Sequence, residues 1–138
     1  MYMLDTNICI YIIKKKPENV LAQLRNNIET GLFISSITLA ELEFGIANAN
    51  ILYNDKNRIA LMEFLTIINI QNFDAAAAKD YGMVKKGLKD KNCLIGPFDM
   101  LIGAHAKSLN MILVTNNTKE FERIEGLTIE NWAPKLLP

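Results

Sequence analysis

Three carboxylates stand where the sequence is otherwise apolar. Asp5 ends the run Met1 to Leu4 in "MYMLDTNICIYI". Glu41 lies inside "SITLAELEFGI", and Asp99 follows "IGPF" and precedes "MLIGAHA". A buried, unpaired carboxylate is costly, so it tends to be neutralised, hydrogen-bonded or bound to a cation. Several converging on one point repel each other and raise their own pKa values, and a divalent ion reverses that balance. A compact set of acids without His or Cys points to Mg²⁺ or Mn²⁺, which take oxygen ligands, rather than to zinc.

Each acid also has a plainer reading. Asp5 can cap a helix that begins near Asn7, and Asp99 can sit at the positive end of its own helix dipole. Glu41 can be an exposed position on a half-buried helix, as can Glu43, and spacing alone does not choose between the two. The only histidine, His105, lies on the apolar stretch "LIGAHAKSL" and reads as a structural or surface residue. Cys9 and Cys93 match no zinc spacing and read as reduced thiols of a cytosolic chain.

The chain that must position these groups has 138 residues, half of them hydrophobic and 22% charged, which fits one globular domain over residues 1–138. No apolar run reaches the ~18 residues that span a bilayer. No basic segment with a small-residue cleavage site opens the chain, so a cytoplasmic location is expected. Fifteen basic residues balance fifteen acidic ones. That balance argues against indiscriminate nucleic-acid binding, whose signature is excess Lys and Arg, but leaves room for a substrate held locally. The clusters Lys14 to Lys16 and Lys85, Lys86, Lys89 and Lys91 read first as solvated faces.

Short apolar strands alternate with helical segments. Strands are expected at Met1 to Leu4, Gly31 to Ser36, Ile67 to Ile70, Met111 to Val114 and Leu127 to Ile129. Helices are expected from Asn7 to Ile13 and, with Pro17 in the first turn, on to Asn27. Others follow Ser36 or Thr38, Asn54 or Asp55, and Asp74 as caps, and a further helix runs from Phe98 to Leu109. The alternation gives a parallel sheet with helices on both faces. Ligands of such sheets gather outside the carboxyl ends of the strands. The first strand exits into Asp5, Thr6 and Asn7, and the strand ending at Val114 exits into Thr115, Asn116 and Asn117.

Four blocks now stand in order through the chain: "MLDTNICIYI", "SSITLAELEFG", "IGPFDMLIGAHA" and "VTNNTKEFERI". Together they resemble the PIN-domain toxins of the VapC type, over essentially the full length. The resemblance implies a single PIN-like α/β/α sandwich with a central parallel sheet. It implies a metal-dependent endoribonuclease, the toxin of a toxin–antitoxin pair, neutralised by a small VapB-like antitoxin, and a homodimer. Carried over, Asp5, Glu41 and Asp99 fall on the family's acidic site, and the choice between Glu41 and Glu43 goes to Glu41. Many family members carry an aspartate two residues after the threonine at the last exit, where this chain has Asn117. Glu120 can supply the missing charge or be a surface glutamate. If the segment is helical, residues 117 and 120 share a side.

The expected mechanism follows. Asp5, Asp99 and Glu41 hold Mg²⁺ or Mn²⁺, which activates water and polarises an RNA phosphodiester. Thr6, Asn7, Thr115, Asn116 and Asn117 orient the carboxylates. Lys85, Lys86 and Lys89 are candidates for phosphate contact. The competing readings are an aspartyl-phosphate phosphotransferase or phosphatase-like enzyme, and a non-enzymatic binding module. The dehalogenase-like version of the first needs a second aspartate two residues after Asp5, where Asn7 stands.

Overall fold

The computed structural model describes residues 1–133. Five parallel strands form one sheet in the order β3-β2-β1-β4-β5. They are β1 (Tyr2–Leu4), β2 (Leu32–Ser35), β3 (Asn69–Gln71), β4 (Ile112–Val114) and β5 (Ile129–Glu130). The helices are α1 (Thr6–Lys14), α2 (Glu18–Asn27), α3 (Ser36–Asn48), α4 (Asn54–Leu65), α5 (Ala75–Asp90), α6 (Pro97–Ser108) and α7 (Thr118–Phe121).

Strand alternation divides the core into two layers. Leu4, Leu32, Ile34 and Val114 pack on one side, with Ile8 and Ile12 of α1, Val20 and Leu24 of α2, Leu42 of α3, and Leu61 and Phe64 of α4. Met3 and Leu113 point the other way, to Val84 and Leu88 of α5, Met100 and Ile102 of α6, and Phe121. One helical layer on each face makes this the expected α/β/α sandwich. With both faces covered, the three central strands β2, β1 and β4 read as apolar runs rather than as polar–apolar alternation.

Several boundaries fall differently from the sequence expectation. Pro17 stands in the extended position just before α2, and its carbonyl accepts the first helical hydrogen bond, from Val20. The cap of α3 is neither Ser36 nor Thr38 but Ser35, which ends β2 and accepts from the Ile37 amide. Ser36 instead accepts from the Phe73 amide, and Thr38 is buried in the helix. Neither Asn54 nor Asp55 caps α4; a 3₁₀ turn at Ile51–Tyr53 runs into it, and Tyr53 holds the cap position. The exposed Ile51 and Leu52 therefore face solvent, not the core.

Pairing sets the last strands. Ile70 lies opposite Ile34, which fixes β3 at Asn69–Gln71, and Ile129 lies opposite Leu113. Leu127 is drawn into a turn instead, its amide donating to Ile124 around Gly126, whose φ is +81°. Asp74 caps α5 as expected, accepting from Ala77 at 3.0 Å.

Candidate active site

β1 and β4 are neighbours, but their sequence companions lie on opposite sides of the pair, with β2 and β3 one way and β5 the other. The connections therefore diverge above the carboxyl ends of β1 and β4, and this is where an open parallel sheet leaves a crevice. Asp5 leaves β1 there with its amide donating to the Val114 carbonyl at 3.0 Å. Thr115 leaves β4 beside it.

Asp5 is the helix cap that its plainer reading expects, and both of its carboxylate oxygens are engaged. One oxygen accepts from the Ile8 amide at 2.9 Å and caps α1; the other accepts from the Thr115 hydroxyl. The side chain is only 4% exposed. Burial pushes its pKa up to about 6, against the pull of the Thr115 and Ile8 donors, and the charges of Asp99 and Glu41 push the same way.

Glu41 comes from the second turn of α3, and its Oε1 accepts from the Thr6 hydroxyl at 2.6 Å. Glu43 turns away to a bidentate pair with Arg58 of α4, at 2.6 and 2.7 Å. The helix rotation thus separates two glutamates that spacing left equivalent.

Asp99 sits in the first turn of α6, whose start is fixed by Gly96 and Pro97. Its pKa is also raised to about 6, by burial first and then by the charges of Glu120 and Glu41, with the Asn117 amide pulling downward. Glu120 reaches this group because α7 is helical. Asn117 donates to its Oε2 at 2.9 Å, so the two residues share a side. The backbone N–H of Asn117 donates to the Thr115 hydroxyl oxygen at 2.9 Å.

The orienting residues divide. Thr6, Thr115 and Asn117 bond to the acids. Asn7 is exposed beside them. Asn116 is a correction: its amide donates to the Tyr11 hydroxyl at 2.9 Å, tying the β4 exit to α1 and not to a carboxylate. Lys86 is paired with Asp90 at 2.8 Å and Lys85 lies over the Tyr81 ring, so two of the three candidate phosphate contacts already have partners within α5. His105 is structural: it is buried, with Nδ1 2.8 Å from the Ser35 hydroxyl and its ring edge-on to Phe73. Tyr11 and Ser35 were not among the expected site residues. Their partners lie 105 and 70 positions away, so no local signal marks them.

The donors that converge are all oxygens, while Cys9 is buried in the core and His105 is engaged elsewhere. Among the described residues, no group of three or more His, Cys, Asp or Glu side chains is placed close enough to hold one metal ion together. The set is an open group of mutually repelling carboxylates. That suits an ion that keeps most of its waters and takes one or two carboxylates directly, which is the habit of Mg²⁺.

An acid-lined crevice at the switch point of a parallel sheet defines a class of hydrolytic α/β domain. The PIN domain family matches residues 2–127, and the chain belongs to that family, among its VapC ribonucleases. It is 42% identical over 133 residues to the "tRNA(fMet)-specific endonuclease VapC" of Shigella flexneri, covering 96% of this chain and 98% of that one. It is 42% identical over 136 residues to "Ribonuclease VapC2" of Rickettsia felis, with the same coverage. A crystal structure of VapBC2 from Rickettsia felis, bound to a DNA fragment from its promoter, superposes with a TM-score of 0.89 at 40% identity. That match covers 95% of this chain and 98% of the other.

Proposed function

We propose that this chain is a metal-dependent endoribonuclease toxin held in check by a VapB-like antitoxin. The carrying observation is the convergence of Asp5, Glu41, Asp99 and Glu120, each from a different element, on the crevice above β1 and β4. Asp5 and Asp99 would hold Mg²⁺ or Mn²⁺, with Glu41 completing the site. The ion, when bound, supplies Lewis acidity at the phosphodiester and lowers the pKa of water.

The protein's own part is orientation and proton handling. Thr115 and the Ile8 amide fix both oxygens of Asp5, so the carboxylate enters the site in one rotamer. Thr6 holds Glu41 in the same way. Glu120 would take a proton from the attacking water, a role supported by its bond to Asn117 and its nearness to Asp99. The products expected are a 5′-phosphate and a 3′-hydroxyl.

Transfer RNA is the substrate class to test first, because relatives at this identity carry that specificity in their names. Complexes of similar chains with VapB proteins support the antitoxin partner. The same reading implies a homodimer working in the cytoplasm, where its RNA is. Among the described residues, no helix is long and apolar enough to cross a membrane.

The deciding experiment is cleavage of total cellular RNA with mapped 5′ ends, with and without Mn²⁺. Wild type should cut at discrete sites only with the ion, and Asp5→Asn and Asp99→Asn should not cut. Full activity in either variant would refute the assignment.

A further inference from the structure

We propose that Phe98 is a stacking platform for an RNA base beside the scissile phosphate, a proposal that rests on the nuclease reading above. Helix α6 is the most deeply set of the chain's helices: Met100, Ile102, Gly103, Ala104, His105 and Ala106 are all buried. Its first turn is more open: Pro97 and Phe98 are both exposed, Phe98 with 54% of its surface in solvent. It is the residue immediately before Asp99, so the two Cα atoms are about 3.8 Å apart. Successive helical side chains diverge by about 100°, which sets the ring at the flank of the carboxylate and not over it.

The backbone that carries the ring is fixed. Gly96 and Pro97 fix the start of the helix, and Met100 closes the first turn by donating to the Gly96 carbonyl at 3.0 Å. A Cβ at Gly96 would lie 3.6 Å from Asp99 Oδ2, so the turn that presents Phe98 is packed against the acid itself. Leu94, in the preceding loop, is also exposed, at 48%.

The site's charge makes such a surface useful. Four carboxylates face the crevice and the chain has no excess of cations. Lys86 is engaged with Asp90. With no surplus of cations, an uncharged contact would add positioning that the charge balance does not supply. An aromatic face accepts any base, and one base–aromatic stack changes affinity by roughly 10- to 100-fold on alanine substitution. RNA is read largely through unstacked bases of loops and ends, which are free to settle on such a ring.

The test uses the full chain and a tRNA(fMet) transcript. Phe98→Ala should raise KM about 10- to 100-fold and leave kcat within about twofold. Phe98→Tyr should restore the wild-type KM, and Phe98→Leu should not. In an Asp5→Asn background, expected to hold RNA without cutting it, 2-aminopurine is placed in turn at the positions flanking the cut. One position should be quenched on binding, and Phe98→Ala should abolish that quenching with melting temperature unchanged.

Unchanged KM, retained quenching, or rescue by leucine would overturn the proposal while leaving the nuclease intact. A variant that binds RNA as before but no longer binds its antitoxin would assign the ring to the protein partner, and would also overturn it. A wild-type chain that cuts no RNA overturns the nuclease reading and this proposal with it.

Discussion

Asp5 and Thr115, 110 positions apart in sequence, are joined by a hydrogen bond from the threonine hydroxyl to a carboxylate oxygen. The bond bridges the exits of β1 and β4, the two strands between which the sheet's connections diverge. It makes the orientation of the central acid depend on strand order.

Thr115→Val should therefore lower cleavage by about 10- to 100-fold, the usual cost of removing a group that orients a metal ligand. Thr115→Ser should keep most of the activity, because it retains the hydroxyl. Single-turnover cleavage at saturating Mn²⁺ would check this, and wild-type rates in the valine variant would show that Asp5 does not need the bond.

Removing a repelling charge should stabilise the metal-free protein. Asp5→Asn keeps a cap acceptor for Ile8 and removes a buried carboxylate whose pKa is about 6. In EDTA at pH 7.5 it should be more stable than wild type, by on the order of 2 to 3 kcal/mol at most for a shift of this size, and should melt at a higher temperature. A drop in melting temperature would mean that the ionised form earns its place through contacts outweighing desolvation.

The same shifts set a pH dependence. Asp5 and Asp99 rise from 3.8 to about 6 on folding, so between those values the folded chain binds more protons than the unfolded chain. Their contribution to stability is complete below about pH 4 and is lost as pH rises through about 6. His105 acts oppositely, because burial lowers its pKa and its contribution is lost as pH falls. The acids are isolated by comparing urea midpoints of wild type and Asp5→Asn in EDTA. The variant's advantage should be present at pH 7.5 and vanish near pH 4. Mn²⁺ should erase it by stabilising wild type selectively.

Thr38→Val should stabilise the fold. The Thr38 hydroxyl is fully buried and is the buried side-chain polar atom without a hydrogen-bond partner among the described residues. An unpaired buried hydroxyl costs about 1–3 kcal/mol, and valine fills nearly the same shape without it. A gain of about 1 kcal/mol in urea denaturation is expected; a loss of that size would reveal a hidden partner.

Asn117→Asp tests the position where the family's common aspartate is absent. The change removes a donor to Glu120 and adds a negative charge beside Asp99. Metal-free stability should fall, and Mn²⁺ should recover more of it than in wild type, as read by thermal shift with and without the ion.

Much of this was legible in the sequence. Apolar runs of three or four residues marked β1, β2 and β4, and Asp74 marked the start of α5, because burial and capping act over neighbouring positions. The three acids stood out because each interrupts an apolar stretch. Caps two residues apart were harder: Ser35, Ser36 and Thr38 are chemically near-equivalent, and only the end of β2 decides which one begins the helix. Asn116 looked like Asn117 from the sequence, yet it turns to Tyr11.

The chain alone fixed the kinds of group available, the alternation that builds two apolar layers, and the placement of polar residues at strand exits. Those follow from short-range periodicity and from the cost of burying charge. Which acid meets which donor was decided only by the sheet. The order β3-β2-β1-β4-β5 brings Asp5 to Thr115, Glu41 to Thr6 and Asp99 to Glu120. Strand order arises from the competition of many long-range packings, and no local run of residues records its outcome.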